Sequence, residues 1–266
     1  MQGIGLRRSS ISAEAAEQDL PSREEKEEAM ITVTKLHHQF KIGKKGKEKI
    51  VPVLHDINLQ VKRGEIVTVI GRSGSGKSTL LNLISGYIHP TEGEIEIDGH
   101  NVTHLSEGDW ANFRLERFGF IFQSFQLIPS ITAFANVELP LVLKGVPEKT
   151  RKQRTADMLK RVGLEAFGEH YPGELSGGQQ QRISIARALI VDPPIILADE
   201  PTGSLDSENE QSLLDFIREL NRTHGITFLI ITHDEQVAAI GHRTVAIQDG
   251  RLVAKLSQEV RHELQG

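Results

Sequence analysis

Cysteine is absent from this 266-residue sequence, and long uninterrupted apolar runs are absent as well. Without cysteine the chain can form neither disulfide bonds nor thiolate metal sites, which is consistent with the cytosol. The longest apolar-leaning stretch, 127–143, contains Pro129, Asn136, Glu138 and Pro140, so it is a poor candidate for a membrane span. If the protein works at a membrane, we expect another chain to supply the membrane-spanning part.

An excess of basic residues is also absent. The sequence has 31 Lys and Arg residues against 36 Asp and Glu residues, which gives a formal net charge of −5. This balance does not favour nucleic-acid binding, so no nucleic-acid partner is expected. The hydrophobic content of 38% and the charged content of 25% are typical of an ordinary globular protein. The length is sufficient for one well-packed domain with an inserted subdomain.

Residues 1–29 differ in composition from the rest of the chain. They carry four basic and seven acidic residues, and they lack the apolar block of a signal peptide. A segment of this kind buries too little surface to offset its ordering entropy, so residues 1–29 are predicted to be a disordered extension. Met30 directly precedes the first strand-like run and is an alternative start of the chain. Residues 256–266 are predicted to form a short tail.

Strand and helix patterns alternate along the remaining sequence. Alternating apolar residues predict strands at 31–33 and 57–61, and a basic loop at 41–49 connects them. Compact apolar runs at 65–70, 195–198, 226–231 and 244–247 predict buried strands of a mainly parallel sheet that helices cover on both faces. Residues 106–191 have a helical pattern that begins with the capping pair Ser106 and Asp109. We therefore predict an α/β domain at 30–255, with its core at 30–105 and 192–255 and a helical subdomain at 106–191.

A glycine-rich turn follows the strand predicted at 65–70. Residues 71–78 read Gly-Arg-Ser-Gly-Ser-Gly-Lys-Ser, which fits G-x-x-x-x-G-K-[ST] between a strand and a helix, the context that the motif requires. The glycines let backbone N–H groups point inward, and these groups and the helix N-terminus form a cradle for nucleotide phosphates. Lys77 is predicted to reach the β- and γ-phosphates, and the Ser78 hydroxyl is predicted to bind Mg²⁺.

Two adjacent carboxylates end the strand predicted at 195–198. In a parallel sheet, Asp199 and Glu200 would lie at the same edge as the phosphate cradle. Asp199 is predicted to hold Mg²⁺, directly or through water, and Glu200 is predicted to orient and deprotonate the attacking water. A strand that ends in Asp-Glu is by itself a weak signal of a nucleotide site. Together with the glycine-rich turn, it becomes a specific one.

A second anion site is predicted far along the chain from Lys77. Residues 175–179 read Leu-Ser-Gly-Gly-Gln and precede a helix that is predicted to begin near Gln180. One chain does not need two phosphate cradles for one ATP. The sequence therefore predicts a head-to-tail pair of chains, in which the second cradle of each chain closes over the ATP of the other.

With these three elements the sequence closely resembles the ABC ATPase family. Residues 175–179 match the signature of that family, and residues 71–78 and 196–200 match its Walker A and Walker B motifs. The resemblance implies a RecA-like P-loop core with a mainly parallel sheet, an N-terminal antiparallel β subdomain and an inserted helical subdomain. It also implies that the chain binds ATP and Mg²⁺.

Four further positions receive roles from this resemblance. Gln123 resembles the Q-loop glutamine, which contacts Mg²⁺ and senses the membrane partner, and His233 resembles the switch histidine that faces the γ-phosphate. Asp206 falls in the D-loop, which crosses the dimer interface. Phe40 lies where the family stacks an aromatic ring, more commonly that of tyrosine, on adenine. The implied catalytic residues are Lys77, Gln123, Glu200 and His233, and the implied Mg²⁺ ligands are Ser78, Gln123 and Asp199. The implied nucleotide-binding residues are Phe40, Gly71, Ser73, Gly74, Ser75, Gly76, Lys77, Ser78, Thr79, Ser176, Gly177, Gly178, Gln179 and Asp206.

The resemblance is closest to one subgroup of the family. Residues 117–123, 127–129 and 136–141 are similar to the ATPases of the macrolide-exporter and lipoprotein-release group. This similarity implies a homodimer around two ATP–Mg²⁺ at the cytoplasmic face of the membrane. It also implies integral membrane permease subunits that dock near Gln123 and the helical subdomain, for export or envelope maintenance.

Two alternatives stay open at this point. The ATPase of a solute importer that lacks a C-terminal regulatory domain would fit the sequence. A soluble ABC ATPase fits less well, because the DNA-repair type separates its motifs by a long coiled coil and the translation type carries two ATPase units.

Overall fold

Two β-sheets and seven α-helices form the described part of the chain, residues 28–44 and 46–253 of the computed structural model. The strands of the larger sheet are β3 (Ile66–Ile70), β6 (Phe118–Phe122), β7 (Ile195–Asp199), β8 (Thr227–Thr232), β9 (Arg243–Gln248) and β10 (Arg251–Val253). Their order is β10-β9-β3-β8-β7-β6. All neighbouring pairs are parallel except β9 and β10, which form an antiparallel hairpin.

The smaller sheet is antiparallel. It contains β1 (Ala29–Ile42), β2 (Lys49–Lys62), β4 (Glu92–Ile97) and β5 (His100–Asn101) in the order β2-β1-β4-β5. The long strands β1 and β2 form a hairpin through the basic loop, as the sequence predicted. The mainly parallel core and the N-terminal antiparallel sheet are therefore both confirmed.

Helices connect and cover these strands. They are α1 (Lys77–Ile84), α2 (Glu107–Arg117), α3 (Ala133–Leu143), α4 (Glu148–Arg161), α5 (Gly177–Leu189), α6 (Ser207–His224) and α7 (Glu235–Ala238). Two short 3-10 helices span Glu165–Phe167 and Pro172–Glu174. The predicted cap of α2 is present, since the Ser106 Oγ accepts a hydrogen bond from the Asp109 backbone N–H at 3.2 Å. Within the described residues, no helix has the length and apolar character needed to cross a membrane.

Helices lie on both faces of the parallel sheet. Successive residues of a strand point to opposite faces, so one strand can contribute to two apolar clusters. In β8, Phe228 and Ile230 contribute to one apolar cluster, which includes residues of α3, α5 and α6. Leu229 and Ile231 contribute to a second cluster, which includes residues of α1, α2 and the smaller sheet. The four consecutive apolar residues of β8, 228–231, follow from this two-sided burial.

The helical pattern predicted for 106–191 is wrong at residues 118–122. This Phe-Gly-Phe-Ile-Phe segment is β6, which pairs with β7 from Phe118 opposite Ile195 to Phe122 opposite Asp199. A five-residue apolar run between two helices is too short for its periodicity to distinguish a strand from a helix, and its aromatic residues favour the strand. The division of the chain into core and helical subdomain otherwise stays a prediction.

The C-terminal boundary predicted for the disordered extension, residue 29, is wrong. Ala29 is buried and pairs with Lys62 as the first residue of β1, because the strand begins earlier than the alternating apolar pattern indicated. The prediction of disorder for 1–27 and that of a tail at 256–266 lie outside the described residues.

The parallel arrangement places four chain segments at one edge of the larger sheet. The strands β3, β6, β7 and β8 end at Ile70, Phe122, Asp199 and Thr232. The residues that follow them along the chain are Gly71, Gln123, Glu200 and His233. Since parallel strands present their carboxyl ends at one edge, this topology gathers these residues from distant parts of the sequence.

Candidate active site

The glycine-rich loop lies between β3 and α1. Gly76 precedes α1 with a φ of 108°, and an added Cβ would lie 2.6 Å from the Cδ2 atom of Leu54. A Cβ at Gly71 would lie 2.4 Å from the carbonyl oxygen of Ile247. Glycine at these positions lets the loop fold tightly against the two sheets. The first turn of α1 contains no acidic residue, so its backbone N–H groups and positive dipole end favour a bound anion.

The Lys77 side chain is held against this loop. It is 8% exposed, and its Nζ donates hydrogen bonds to the carbonyl oxygens of Gly71 at 2.7 Å and Arg72 at 3.2 Å. Burial lowers the pKa of the Lys77 ammonium below its usual value, while the carboxylates of Glu200 and Asp199 act in the opposite direction. The structure therefore places an ammonium donor between the loop and two carboxylates.

Asp199 ends β7, which lies between β8 and the outermost strand β6, and it is opposite Phe122 of β6 and Ile231 of β8. Burial raises the pKa of the Asp199 carboxyl above its usual value, and the nearby charge of Glu200 raises it further. A hydrogen bond from Ser78 and the charge of Lys77 oppose this rise. A cation at this position would stabilise the ionised form of Asp199.

Glu200 and His233 form a pair that the sequence analysis did not predict. The Glu200 Oε1 lies 2.9 Å from the His233 Nδ1, and its Oε2 accepts a hydrogen bond from the His233 backbone N–H at 3.2 Å. Glu200 has a φ of 47°, and its backbone N–H donates to the carbonyl of Ile231 at 2.9 Å. The Glu200 side chain is 15% exposed and the His233 side chain is 63% exposed. The carboxylate is thus fixed at the sheet edge, while the imidazole faces solvent.

These residues line one cavity of about 650 Å³. The predicted site residues on its wall are Ser73, Gly74, Gly76, Lys77, Ser78, Thr79, Gln123, Asp199, Glu200 and His233. Five residues that were not predicted also line it, namely Val53, Arg72, Phe122, Ser124 and Gln126. The proximity of Ser124 and Gln126 to Gln123 in the sequence was a usable signal for them. Val53 comes from β2, and no motif marks it.

The remaining predicted residues do not line this cavity. They are Phe40, Gly71, Ser75, Ser176, Gly177, Gly178, Gln179 and Asp206. Phe40 lies near the end of β1 opposite Val51, and its ring meets the His38 ring edge-to-face at 4.6 Å. Its stacking on adenine stays a prediction.

Gln123 packs against a glycine of the turn that follows β7. A Cβ at Gly203 would lie 2.7 Å from the Gln123 Nε2, so the glycine leaves space for the amide. The Gly203 backbone N–H donates to the Glu200 carbonyl at 3.1 Å, which fixes the turn. The segment that carries Glu200 therefore also limits where the Gln123 side chain can lie.

The second predicted anion site is the N-terminus of α5. The Ser176 Oγ accepts a hydrogen bond from the Gln179 backbone N–H at 3.3 Å, and the Gln179 Oε1 accepts one from the Ser176 backbone N–H at 2.9 Å. These reciprocal bonds form a capping box and start the helix at Gly177, three residues earlier than predicted. Ser176 and Gly177 are exposed.

Asp206 lies close to this helix end. Its carboxylate caps α6, because the Asp206 Oδ1 accepts a hydrogen bond from the Asn209 backbone N–H at 2.9 Å. Hydrogen bonds from Asn209 lower the pKa of Asp206 below its usual value. A Cβ at Gly178 would lie 2.5 Å from the Asn209 Oδ1, so the first turns of α5 and α6 pack tightly together.

Comparison with known protein families identifies the family of this chain. Residues 54–203, more than half of the chain, match the family described as ABC transporter. The chain belongs to the ABC transporter family. It is therefore an ATP-binding and ATP-hydrolysing subunit of an ABC transporter, as the sequence predicted.

Two relatives show how closely this ABC transporter protein matches characterised groups. It is 63% identical over 231 residues to the ABC transporter ATP-binding protein YtrE of Bacillus subtilis (strain 168). The match covers 87% of this chain and 100% of YtrE. It is 49% identical over 207 residues to the macrolide export ATP-binding/permease protein MacB 1/2 of Paracoccus denitrificans (strain Pd 1222). That match covers 78% of this chain and 31% of the MacB protein. The predicted resemblance to the macrolide-exporter subgroup is confirmed.

A solved structure shows the same fold. A dimeric post-hydrolysis state of the ATP-binding cassette MJ0796 from Methanocaldococcus jannaschii, bound to ADP and Pi, has a TM-score of 0.77 to this ABC transporter ATPase. The two chains are 42% identical, and the match covers 84% of this chain and 96% of that chain.

The residues near Asp199 fit a magnesium ion. The Ser78 hydroxyl and the Asp199 carboxylate are hydrogen-bonded to each other, and Gln123 lines the same cavity. These are oxygen donors, the type that Mg²⁺ prefers, and Mg²⁺ often takes one or two protein ligands and completes its shell with phosphate and water. The described residues contain no cluster of three or more His, Asp or Glu side chains suited to a metal.

Proposed function

We propose that two copies of this chain bind two ATP molecules with Mg²⁺ at a shared interface, and that ATP hydrolysis powers transport by a separate membrane subunit. One observation carries the proposal of a dimer. Ser176, Gly177, Gly178 and Gln179 lie at the capped N-terminus of α5, and none of them lines the cavity that contains Lys77. The exposed signature end of each chain is therefore available to the ATP of a second copy.

Six side chains of the cavity have a role in this proposal. Lys77 binds the β- and γ-phosphate oxygens of ATP, and Ser78, Asp199 and Gln123 hold the Mg²⁺. When bound, Mg²⁺ neutralises the charge that develops on the phosphates. Glu200 orients the attacking water and accepts its proton, and His233 faces the γ-phosphate.

The partner copy completes the site. Its Ser176 hydroxyl and the backbone N–H groups of its Gly177 and Gly178 bind the γ-phosphate. Asp206 lies near this contact, because it accepts a hydrogen bond from Asn209, which packs against Gly178. Hydrolysis removes the group that both chains hold, so the pair opens afterwards. The dimer of the similar MJ0796 cassette supports this arrangement.

The dimer is testable with a slow-hydrolysis variant. We expect Glu200→Gln to form a dimer in ATP and Mg²⁺ on size-exclusion chromatography with light scattering. We expect Glu200→Gln combined with Ser176→Arg to remain monomeric, because the added side chain fills the anion site. Glu200→Gln combined with Ser106→Arg is the matched control. Ser106 caps a different helix, α2, by the same kind of hydrogen bond at 3.2 Å. Monomer formation by both combinations, or by neither, would contradict the proposed interface.

The direction of transport is proposed from the relatives. The MacB proteins are named as macrolide export proteins, and they carry ATP-binding and permease parts in one chain. We infer that this chain acts at the cytoplasmic face of the membrane with a separate permease subunit that docks near Gln123 and the helical subdomain. Export or envelope maintenance is the corresponding function.

The membrane partner is testable by capture. The resemblance to the macrolide-exporter and lipoprotein-release group implies a permease with few spans and a large extracytoplasmic domain. We expect tagged Glu200→Gln, in ATP and Mg²⁺, to retain such a permease from solubilised native membranes. The tagged Glu200→Gln and Ser176→Arg combination should retain less of it, because it does not close. A permease with many spans would favour an importer instead. Retention of soluble proteins alone would contradict transport but not ATP hydrolysis.

A further inference from the structure

The turn that follows Gln123 has an unfavourable backbone conformation. Phe125 and Gln126 have φ values of 60° and 48°, so two consecutive residues other than glycine are left-handed. This conformation is disfavoured for L-residues because Cβ approaches the carbonyl oxygen too closely. Ser124 and Gln126 line the same cavity as Gln123. The position of Gln123 therefore depends on a turn that neighbouring structure must hold in place.

Arg187 makes the contacts that hold this turn. It lies in the last turn of α5, and its Nη1 donates a hydrogen bond to the Gln126 carbonyl at 2.6 Å. Its Nη2 donates a hydrogen bond to the Phe125 carbonyl at 2.9 Å. The planar guanidinium binds both left-handed residues at once, and its geometry fixes the distance between their carbonyls. The Arg187 residue is half-buried, and this burial lowers the pKa of its guanidinium below the usual value.

We propose that Arg187 is a positioning residue for ATP hydrolysis: it holds the turn at Phe125 and Gln126 and thereby sets the position of Gln123 in the cavity. The inference rests on the proposed function of Gln123. It links α5, whose first residues form the proposed γ-phosphate contact of the opposite site, to the cavity of its own chain.

A second arginine provides a matched control. The Arg154 Nη2 donates to the Ile190 carbonyl at 2.8 Å and contacts the Asp192 Oδ2 at 2.6 Å. It thus also joins a helix to main-chain oxygen, but none of its partners lines the cavity. A general loss of stability should follow from replacing either arginine, whereas a loss of positioning should follow from replacing Arg187 alone.

The first test compares Arg187→Met with Arg154→Met, since methionine keeps an unbranched apolar stem without donors. We expect Arg187→Met to lower the kcat for ATP hydrolysis about tenfold or more, with the KM for ATP nearly unchanged. Arg187→Lys keeps one cationic donor and should give an intermediate kcat. We expect Arg154→Met to keep the wild-type kcat. Amide hydrogen exchange at 123–126 should become faster in Arg187→Met and remain unchanged in Arg154→Met.

A double-mutant cycle with Gln123→Ala decides whether Arg187 acts through Gln123. If it does, Arg187→Met with Gln123→Ala should be no slower than Gln123→Ala alone. Multiplied losses would overturn the inference, and so would a wild-type kcat or unchanged hydrogen exchange in Arg187→Met. If Arg187→Met is slow and Gln123→Ala keeps the wild-type kcat, the inference fails and so does the role of Gln123, while the roles of Lys77 and Glu200 stand.

Discussion

Replacing Lys77 by alanine is expected to abolish ATP hydrolysis, with a loss of about 10³-fold or more. Lys77 is 8% exposed and its ammonium donates to the carbonyls of Gly71 and Arg72, so the substitution removes a phosphate donor and loosens the loop that surrounds it. Two carboxylates, Asp199 and Glu200, would then face the phosphates without this compensating charge. Steady-state phosphate release and binding of a fluorescent ATP analogue measure the two effects.

A control separates this result from general damage. Lys152→Ala removes a side chain that is 58% exposed and paired with Glu148 on α4, away from the cavity, and should leave hydrolysis unchanged. Thermal unfolding of both variants tests whether the fold persists. Turnover near the wild-type rate in folded Lys77→Ala would contradict the assignment of the phosphate cradle.

Replacing Glu200 by glutamine is expected to lower kcat by about 10²–10⁴-fold while ATP still binds. The amide keeps the shape of the side chain. It also keeps an oxygen that can accept the hydrogen bond from the His233 backbone N–H, which is 3.2 Å long in the native protein. It cannot accept a proton from water at neutral pH. Single-turnover measurements with saturating protein separate the chemical step from ATP binding and product release.

Glu65→Gln is the matched control for this change. The Glu65 side chain is also 15% exposed, and its carboxylate accepts a hydrogen bond from the Lys62 backbone N–H at 2.9 Å. It lies outside the cavity, so its loss of charge should leave kcat unchanged. Equal losses in both variants would show that charge removal acts through stability and not through the reaction.

Much of the fold was predictable because local chemistry agrees with the tertiary arrangement. The apolar run before Gly71 and the glycine-rich motif that follows it predicted β3 and α1, and the cap at Ser106 predicted the start of α2. The strand β6 was missed, because a short aromatic run becomes a strand only when β7 lies beside it. Backbone hydrogen bonds to a neighbouring strand are not encoded in the periodicity of either segment.

Motifs depend on residue types at fixed spacing, so the amino-acid sequence alone establishes which chemical groups this ABC transporter ATPase carries and in what order. Which of these groups meet depends on the folded arrangement. Val53 reaches the cavity from β2, Glu200 pairs with His233, and Gly203 leaves space for Gln123. The tertiary structure also left the N-terminus of α5 outside the cavity of its own chain. These contacts join residues far apart in sequence, and they form only because the parallel sheet brings its strand ends to one edge and the packing of helices fills the space around it.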